Sequence, residues 1–434
     1  MSSTISRVRP ERAGNICKKL VKLAVTPDRG KIMNQEILFS ANCDMTVTLA
    51  ISVILLLLGT VIKKFFPILK KFFIPVPVLG GIFFALLALI GYKTGLFYLT
   101  FDSSLKDLLM MAFFTSIGFT ASIRMLIHGG ISVVIFLLCS MLLICLQNVV
   151  GVGLAELFGL NPLMGLATGS IPLTGGHGTS AAFGPLLEQH GLTGALSVSV
   201  AGATFGLVMG SMLGGPVGKL LMARNHISPV PKAEAVQVKA APGGEIPKAG
   251  RHDLYNACAC LIVCMGIGTF INMWLKHVGL VLPSYLAPMI VAAVMRNVAD
   301  FRRMNLPSNE IGTLGELALQ YFLAMALMSM RLWELESLAV PLVVILLVQT
   351  VLMAFYAYFV TFNMMGRDYD AAVLACGHCG FGMGATPNAI ANMDTFTGAN
   401  GPSPKAFFVV PIVGSLFIDF VHAIIITVFI KAIV

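Results

Sequence analysis

Charge is what this chain has least of. Only 11% of its 434 residues are Asp, Glu, Lys or Arg, where soluble domains carry about a quarter. Fifty-seven per cent are hydrophobic and the mean hydropathy is +0.88. That excludes an ordinary soluble domain and points to an integral membrane protein in contact with a lipid bilayer. The net charge of +9 would suggest nucleic acid in a soluble protein. Here the basic residues sit beside apolar runs and read as topology signals, so no nucleic-acid partner is expected. The nine cysteines are scattered, without the dense pairing of a secreted disulfide scaffold. The first 31 residues lack the apolar core of a signal peptide and carry Arg7, Arg9, Arg12, Lys18, Lys19, Lys22, Arg29 and Lys31 against Glu11 and Asp28. The expectation is that the biological start is Met33.

What the sequence does have is long apolar runs, at 45–62, 74–92, 108–122, 130–158, 195–222, 253–275, 280–295, 312–330, 338–365 and 405–431. If the first enters from outside, Lys63, Lys64, Lys70, Lys71, Arg124, Lys219, Arg224, the polar connector before His252, Arg296, Arg302, Arg303, Arg367 and Lys405 share the inner side. The outer side keeps Lys93, Lys106, Lys276, Arg331 and Lys431. The central connector is then cytoplasmic and both termini are periplasmic. Five runs on either side of it imply two halves of opposite orientation.

Two glycine-rich stretches interrupt the apolar pattern. One runs from Gly159 to Ala182, the other from Gly366 through Gly377 and Asn388 to Ala389. Laid on each other without gaps they match Gly159 with Gly366, Gly175 with Gly382, Thr179 with Thr386 and Ala182 with Ala389. Glycine costs about 1 kcal/mol against alanine in a helix interior and Pro387 lacks a donor, so both stretches are expected to be partly unwound. Unwound backbone at membrane depth survives only where protein buries it or it lines a watery cavity, which makes each stretch a candidate re-entrant binding element.

The fold expected is therefore an all-α integral membrane protein of about ten transmembrane helices in two inverted five-helix repeats, each with a re-entrant glycine-rich hairpin. Its parts are a tail at 1–44, a first repeat at 45–222 with its re-entrant loop at 161–185, a cytoplasmic linker at 223–252, and a second repeat at 253–434 with its loop at 371–393.

Neither stretch holds a lysine or arginine between Ser170 and Ala182 or between Gly377 and Asn392. An anionic substrate would then be held by backbone amides, helix N-termini and hydroxyls. Candidate contacts are Ser170, Thr174, Gly175, Gly176, His177, Gly178 and Thr179 in the first stretch, and Gly380, Gly382, Gly384, Thr386 and Asn388 in the second. For a hard cation such as sodium the oxygen donors are Asn148, Gln349, Asn388, Asn392 and Asp419. Asp419 sits within an apolar span, where a carboxylate must be neutral, paired or bound to a cation, and His422 lies on the same helix face.

Cys376-Gly-His-Cys379 also fits a thiol-oxidoreductase pattern, and with His378 it could ligate a transition metal. It lacks the soluble strand and helix that such redox motifs need and the fourth ligand of a zinc site. The Gly176-His177-Gly178 and Gly380-Phe381-Gly382 triplets follow no soluble strand, as a dinucleotide loop would.

At these residues the chain resembles the bacterial sodium/glutamate symporter family. The family's Gly-Gly-His-Gly-Thr stretch stands at Gly175 to Thr179, and its Gly-His-Cys-Gly-Phe-Gly-x-Gly-Ala-Thr-Pro stretch at Gly377 to Pro387. The likeness runs from about Met33 onward, except roughly 223–252, with Thr174 where the family carries serine. It implies two inverted halves, a pair of re-entrant loops entering from opposite sides, and electrogenic uptake of L-glutamate with sodium across the bacterial inner membrane. It implies no cofactor besides the co-transported ion and no enzymatic activity, and by general analogy a homodimer is expected. The alternatives are a carrier of another di- or tricarboxylate, a proton-coupled carrier of the same fold, and a membrane thiol oxidoreductase using Cys376 and Cys379.

Overall fold

The computed structural model describes residues 38–66, 69, 74–128, 130–228, 251–277, 283–333 and 339–434. The tail with Met33, Lys70 and Lys71, and most of the central linker lie outside the described residues.

The first element is a strand, β1 (Phe39–Cys43), which sequence reading did not anticipate. Asp44 then caps α1 (Met45–Phe65), its carboxylate accepting from the Val47 amide at 2.8 Å. After α2 (Val76–Lys93) the strand β2 (Phe97–Phe101) pairs with β1 in parallel, Phe39 opposite Phe97. β1 (FSANC) alternates apolar and polar residues but β2 (FYLTF) does not, and two five-residue runs among long apolar helices are too short to stand out as strands.

There follow α3 (Ser104–Gly118), the short α4 (Ile123–His128) and α5 (Gly130–Leu157). The first glycine-rich stretch is built of α6 (Leu163–Ala167), α7 (Ser170–Leu173) and α8 (Gly176–Gln189). The Asn161 side chain accepts from the Leu163 amide at 2.9 Å as α6 begins. Next come α9 (Ala195–Arg224), α10 (Arg251–His277), α11 (Leu286–Arg302), α12 (Ser308–Met328) and α13 (Ala339–Tyr356), which continues through a π-turn at Ala357–Thr361 to Met364. The second glycine-rich stretch is α15 (Tyr369–Gly382) and α16 (Thr386–Asn400), with α14 the three-residue piece Phe362–Met364 before it. The chain closes with α17 (Pro404–Ile412), a π-turn at Val413–Phe417 and α18 (Ile418–Ile433).

Seven helices among the described residues are long and apolar enough to cross a membrane: Met45–Phe65, Val76–Lys93, Gly130–Leu157, Ala195–Arg224, Asp253–His277, Ser308–Met328 and Val340–Met364. The other three expected runs are the 15-residue α3, the 17-residue α11 and the pair α17 and α18, split by its π-turn.

The helices pack in two groups. One comprises α1, α2, α3, α10, α11 and α12; the other comprises α5 to α9 and α13 to α18. Each group draws on both halves of the sequence. Contact between the groups is thin, made chiefly where α8 meets α12 and where α18 meets α3 and α11.

At the centre of the second group α9 carries Gly202, Gly206, Gly210, Gly214 and Gly218, one every fourth residue and so on one face. A methyl group at Gly202 would crowd Pro172, at Gly206 it would strike the Met383 carbonyl, at Gly210 it would come within 3.2 Å of the Cys379 carbonyl, and at Gly218 it would press on the Phe396 ring. This smooth face lets α7, α15 and α16 lie directly on the α9 backbone.

Candidate functional site

The unwinding expected of both stretches is confined to short breaks. Gly377, Gly380 and Gly382 lie inside α15, and Gly178 and Thr179 inside α8. The second break is only Met383 to Ala385 and the first is the turn at Thr174 and Gly175, with a further interruption at Thr168 and Gly169. The helical glycines serve close packing. Gly380 lies against the backbone of Asn388 and Ala389, so α15 and α16 run antiparallel as a tight hairpin, with Cys376 Sγ donating to the Asn392 carbonyl at 3.5 Å further along. Dense contact offsets glycine's helix penalty of about 1 kcal/mol.

The two breaks meet. Gly176 has φ +64°, a left-handed conformation that glycine adopts without Cβ strain, and a Cβ there would stand 3.2 Å from the Gly384 carbonyl. Behind this contact is Gln147 of α5, fully buried. Its Nε2 donates to the Gly382 carbonyl at 2.8 Å while its Oε1 accepts from the Thr174 hydroxyl at 2.8 Å. Gln349 donates to the Gln147 carbonyl at 2.7 Å. One side chain therefore ties both breaks to the same helix.

In front of the contact lies a cavity of about 710 Å³, between the two helix groups, a size usual for small-ligand sites. Thr174, Gly175, Gly176, His177 and Gly178 line it from the first break, and Gly384, Ala385, Thr386 and Pro387 from the second. Asp419 lines it too, just beyond the π-turn at Val413–Phe417, whose Gly414 abuts Thr386. The opposite wall is Ser116 near the end of α3 and Thr120 just beyond it, Glu316 and Gln320 of α12, and Lys63 of α1.

Although neither glycine-rich stretch holds a lysine or arginine, Lys63, a topology marker by its sequence position, stands at the cavity wall, its ammonium donating to the Ile74 carbonyl at 2.8 Å. Glu316, an acid inside an expected span, carries the same sequence signal that singles out Asp419.

Ser170, another expected site residue, does not line the cavity. Ser170 is fully buried, its hydroxyl donating to Asn148 Oδ1 at 2.7 Å and its amide to the same oxygen at 3.1 Å. His422 Nε2 lies 2.9 Å from that hydroxyl, so His422 partners Ser170 and not Asp419. With the hydroxyl proton committed to Asn148, His422 carries its proton on Nε2. His177 Nε2 lies 3.0 Å from the Thr204 hydroxyl, whose proton goes to the Val200 carbonyl at 3.0 Å, which again makes Nε2 the donor. Thr179, Gly380, Gly382 and Asn388 do not line the cavity. Asn388 donates to the Leu207 carbonyl at 2.9 Å and to Ser211 at 2.8 Å, and Asn392 to the Gly210 carbonyl at 2.8 Å.

Of the five oxygen donors expected for sodium, Asp419 alone lines the cavity. The Asn148 oxygen is occupied by Ser170, whereas Gln349 Oε1 and Asn388 Oδ1 are buried acceptors with no donor in the structure. His378 is enclosed, its Nδ1 2.8 Å from the Thr361 hydroxyl and its ring tilted against Phe136 at 4.9 Å. Cys376 and Cys379 are fully buried inside α15, and no cluster of three metal-ligating side chains occurs among the described residues.

The family model described as sodium/glutamate symporter matches residues 41–402. The sodium/glutamate symporter of Escherichia coli (strain K12) is 44% identical over 391 residues, covering 88% of this chain and 96% of that protein. The Haemophilus influenzae (strain ATCC 51907 / DSM 11121 / KW20 / Rd) sodium/glutamate symporter is 41% identical over 388 residues, covering 87% and 94%. The chain belongs to the sodium/glutamate symporter family.

Proposed function

We infer that this protein takes up L-glutamate together with sodium. It is a carrier and not an enzyme, a multi-pass protein of the inner membrane, and sodium is its co-transported ion. The observation that carries the site assignment is the convergence of both chain breaks on one cavity.

Glutamate sits in that cavity, its carboxylates held by the amides and hydroxyls of Thr174 to Gly178 and Gly384 to Thr386, with Lys63 close enough to offset its charge. Sodium binds at Asp419 and beside the unpartnered oxygens of Gln349 and Asn388. A buried acceptor left unpaired costs about 1–3 kcal/mol, which a cation would recover. Glutamate carries a net charge of about −1, and each cation moved inward across 100 mV yields roughly 2.3 kcal/mol, so two or more sodium ions per glutamate make uptake electrogenic.

The architecture that goes with this reading would be ten spans in two inverted repeats, with the helix pairs of the glycine-rich stretches as re-entrant hairpins opening alternately. In this orientation the central linker is cytoplasmic, both termini are periplasmic, and the cavity with Lys63 and Thr120 opens inward. We expect the working unit to be a homodimer. Uptake of radiolabelled glutamate into reconstituted vesicles tests the reading. Accumulation should require a sodium gradient and vanish when choline replaces sodium. Uptake driven by protons alone, or citrate displacing glutamate, would instead favour another carrier of this fold.

A further inference from the structure

A second cavity, of about 680 Å³, lies between the same two helix groups on the opposite face of the molecule. Lys106 at the start of α3, Lys431 at the end of α18 and Gln189 at the end of α8 mark its mouth. The first cavity is met instead by Thr120, beyond the other end of α3. The two are close: on α8, Gly178 lines the first and Ala181 the second, less than one helical turn apart.

Aromatic rings fill the gap between them. Phe113 lines the first cavity and meets Phe114 edge-on, with ring centres 5.1 Å apart. Phe114 stacks on Tyr285 at 4.4 Å, and Phe183 meets Tyr285 edge-on at 5.5 Å. Tyr285 faces the second cavity, and Phe322 lines it while its neighbour Leu323 lines the first.

The polar groups of the second cavity are unlike those of a packing defect. Tyr285 is only 2% exposed, and its hydroxyl has one polar neighbour, the Thr427 hydroxyl, without a close hydrogen bond to it. Buried phenols are normally closely paired, so this one is free to turn to a better acceptor. Lys106 is 16% exposed in its side chain and stands 3.8 Å from Asp107, a long contact with a carboxylate that is itself 54% exposed. Lys431 is exposed at the mouth. Thr427 has given its proton to the Ala423 carbonyl at 2.8 Å, so its oxygen can accept from an ammonium group. Asp107, Gln189, His190 and Ser284 line the cavity as well. Two ammonium groups and a phenol donor above an apolar floor, with the Thr427 hydroxyl and the Asp107 carboxylate as acceptors, complement an amino acid that carries an ammonium group and an extra carboxylate.

We propose that the second cavity is a further binding site for the transported amino-acid anion, in which Lys106, Lys431 and the Tyr285 hydroxyl hold a carboxylate in front of a closed aromatic septum. The proposal rests on the transport reading above. It makes the carrier two-sited, with a first station on the face bearing Lys106 and a central station at the chain breaks.

The test uses the full chain reconstituted in vesicles of known orientation. Glutamate is offered at either face of wild type, of the Lys106→Gln, Lys431→Gln double variant, and of Tyr285→Phe, which keeps the septum ring and removes only its hydroxyl. The double variant should raise the half-saturating glutamate concentration about fivefold when substrate is offered at the Lys106 face and leave it within about twofold at the other, with maximal rates retained. Tyr285→Phe should give a smaller shift at the same face. Equal shifts at both faces, a loss of maximal rate alone, or no shift would overturn the second site while leaving the carrier intact. Wild-type vesicles that fail to accumulate glutamate from either face would overturn both readings.

Discussion

Gln147 and Gly382, 235 residues apart, are joined by a 2.8 Å hydrogen bond in which the Gln147 carboxamide donates to the Gly382 carbonyl. The other end of the same carboxamide accepts from Thr174. Both groups are buried, so replacing Gln147 strands a carbonyl and a hydroxyl in a dry interior.

Gln147→Leu is therefore expected to cost about 1–3 kcal/mol for each group left unpaired and to lower the melting temperature of the purified protein. Gln147→Glu, which keeps an acceptor for Thr174 but loses the donor to Gly382, should also be destabilised. A leucine variant with wild-type melting and uptake would show that the link is dispensable.

Asp419 is the one expected sodium ligand that lines the cavity. Asp419→Asn should raise the sodium concentration for half-maximal uptake about tenfold or more, since a carboxylate within reach of a cation contributes more than 1.4 kcal/mol. The glutamate concentration for half-maximal uptake, taken at saturating sodium, should change little. Unchanged sodium activation would leave Asp419 a packing residue.

Both chain breaks should be shielded by the same substrate. Ser180 and Asn388 are fully buried and make poor chemical probes. Gly178 and Ala385 line the cavity, and a Cβ at Gly178 meets nothing nearer than 3.4 Å. In a background without native cysteines, Gly178→Cys and Ala385→Cys should each react with a small thiol reagent, and glutamate with sodium should slow both reactions together. Protection at one position only would separate the two breaks into different sites.

The glycine face of α9 sets a limit on volume. Gly206→Ala places its methyl group on the Met383 carbonyl at the second break, a rigid neighbour, and overpacking of this kind costs about 1–3 kcal/mol. Uptake should fall along with melting temperature, whereas Gly215→Ala on the same helix, where a Cβ meets nothing within 4 Å, should leave both near wild type. Equal tolerance at the two positions would mean the close packing seen here does not matter.

By itself the sequence determined that the chain lives in a membrane, because scarce charge and long apolar runs allow little else. It also located two glycine-rich interruptions, since composition marks where a helix is weakest, and it exposed Asp419 as an acid within an apolar span. Tertiary structure decided the rest. Whether a glycine unwinds a helix or lets another helix approach depends on the neighbour, so Gly377, Gly380 and Gly382 stayed helical and the second break shrank to Met383–Ala385. Asn148 and Gln349 looked alike as buried amides, yet the Asn148 oxygen is taken by Ser170 and the Gln349 oxygen is left without a donor. Lys63 and Glu316 reach the cavity wall from helices that no local pattern connects to the glycine-rich stretches. Periodicity and composition report on neighbours along the chain, whereas a site between two helix groups is assembled by contacts hundreds of residues apart, and only packing records them.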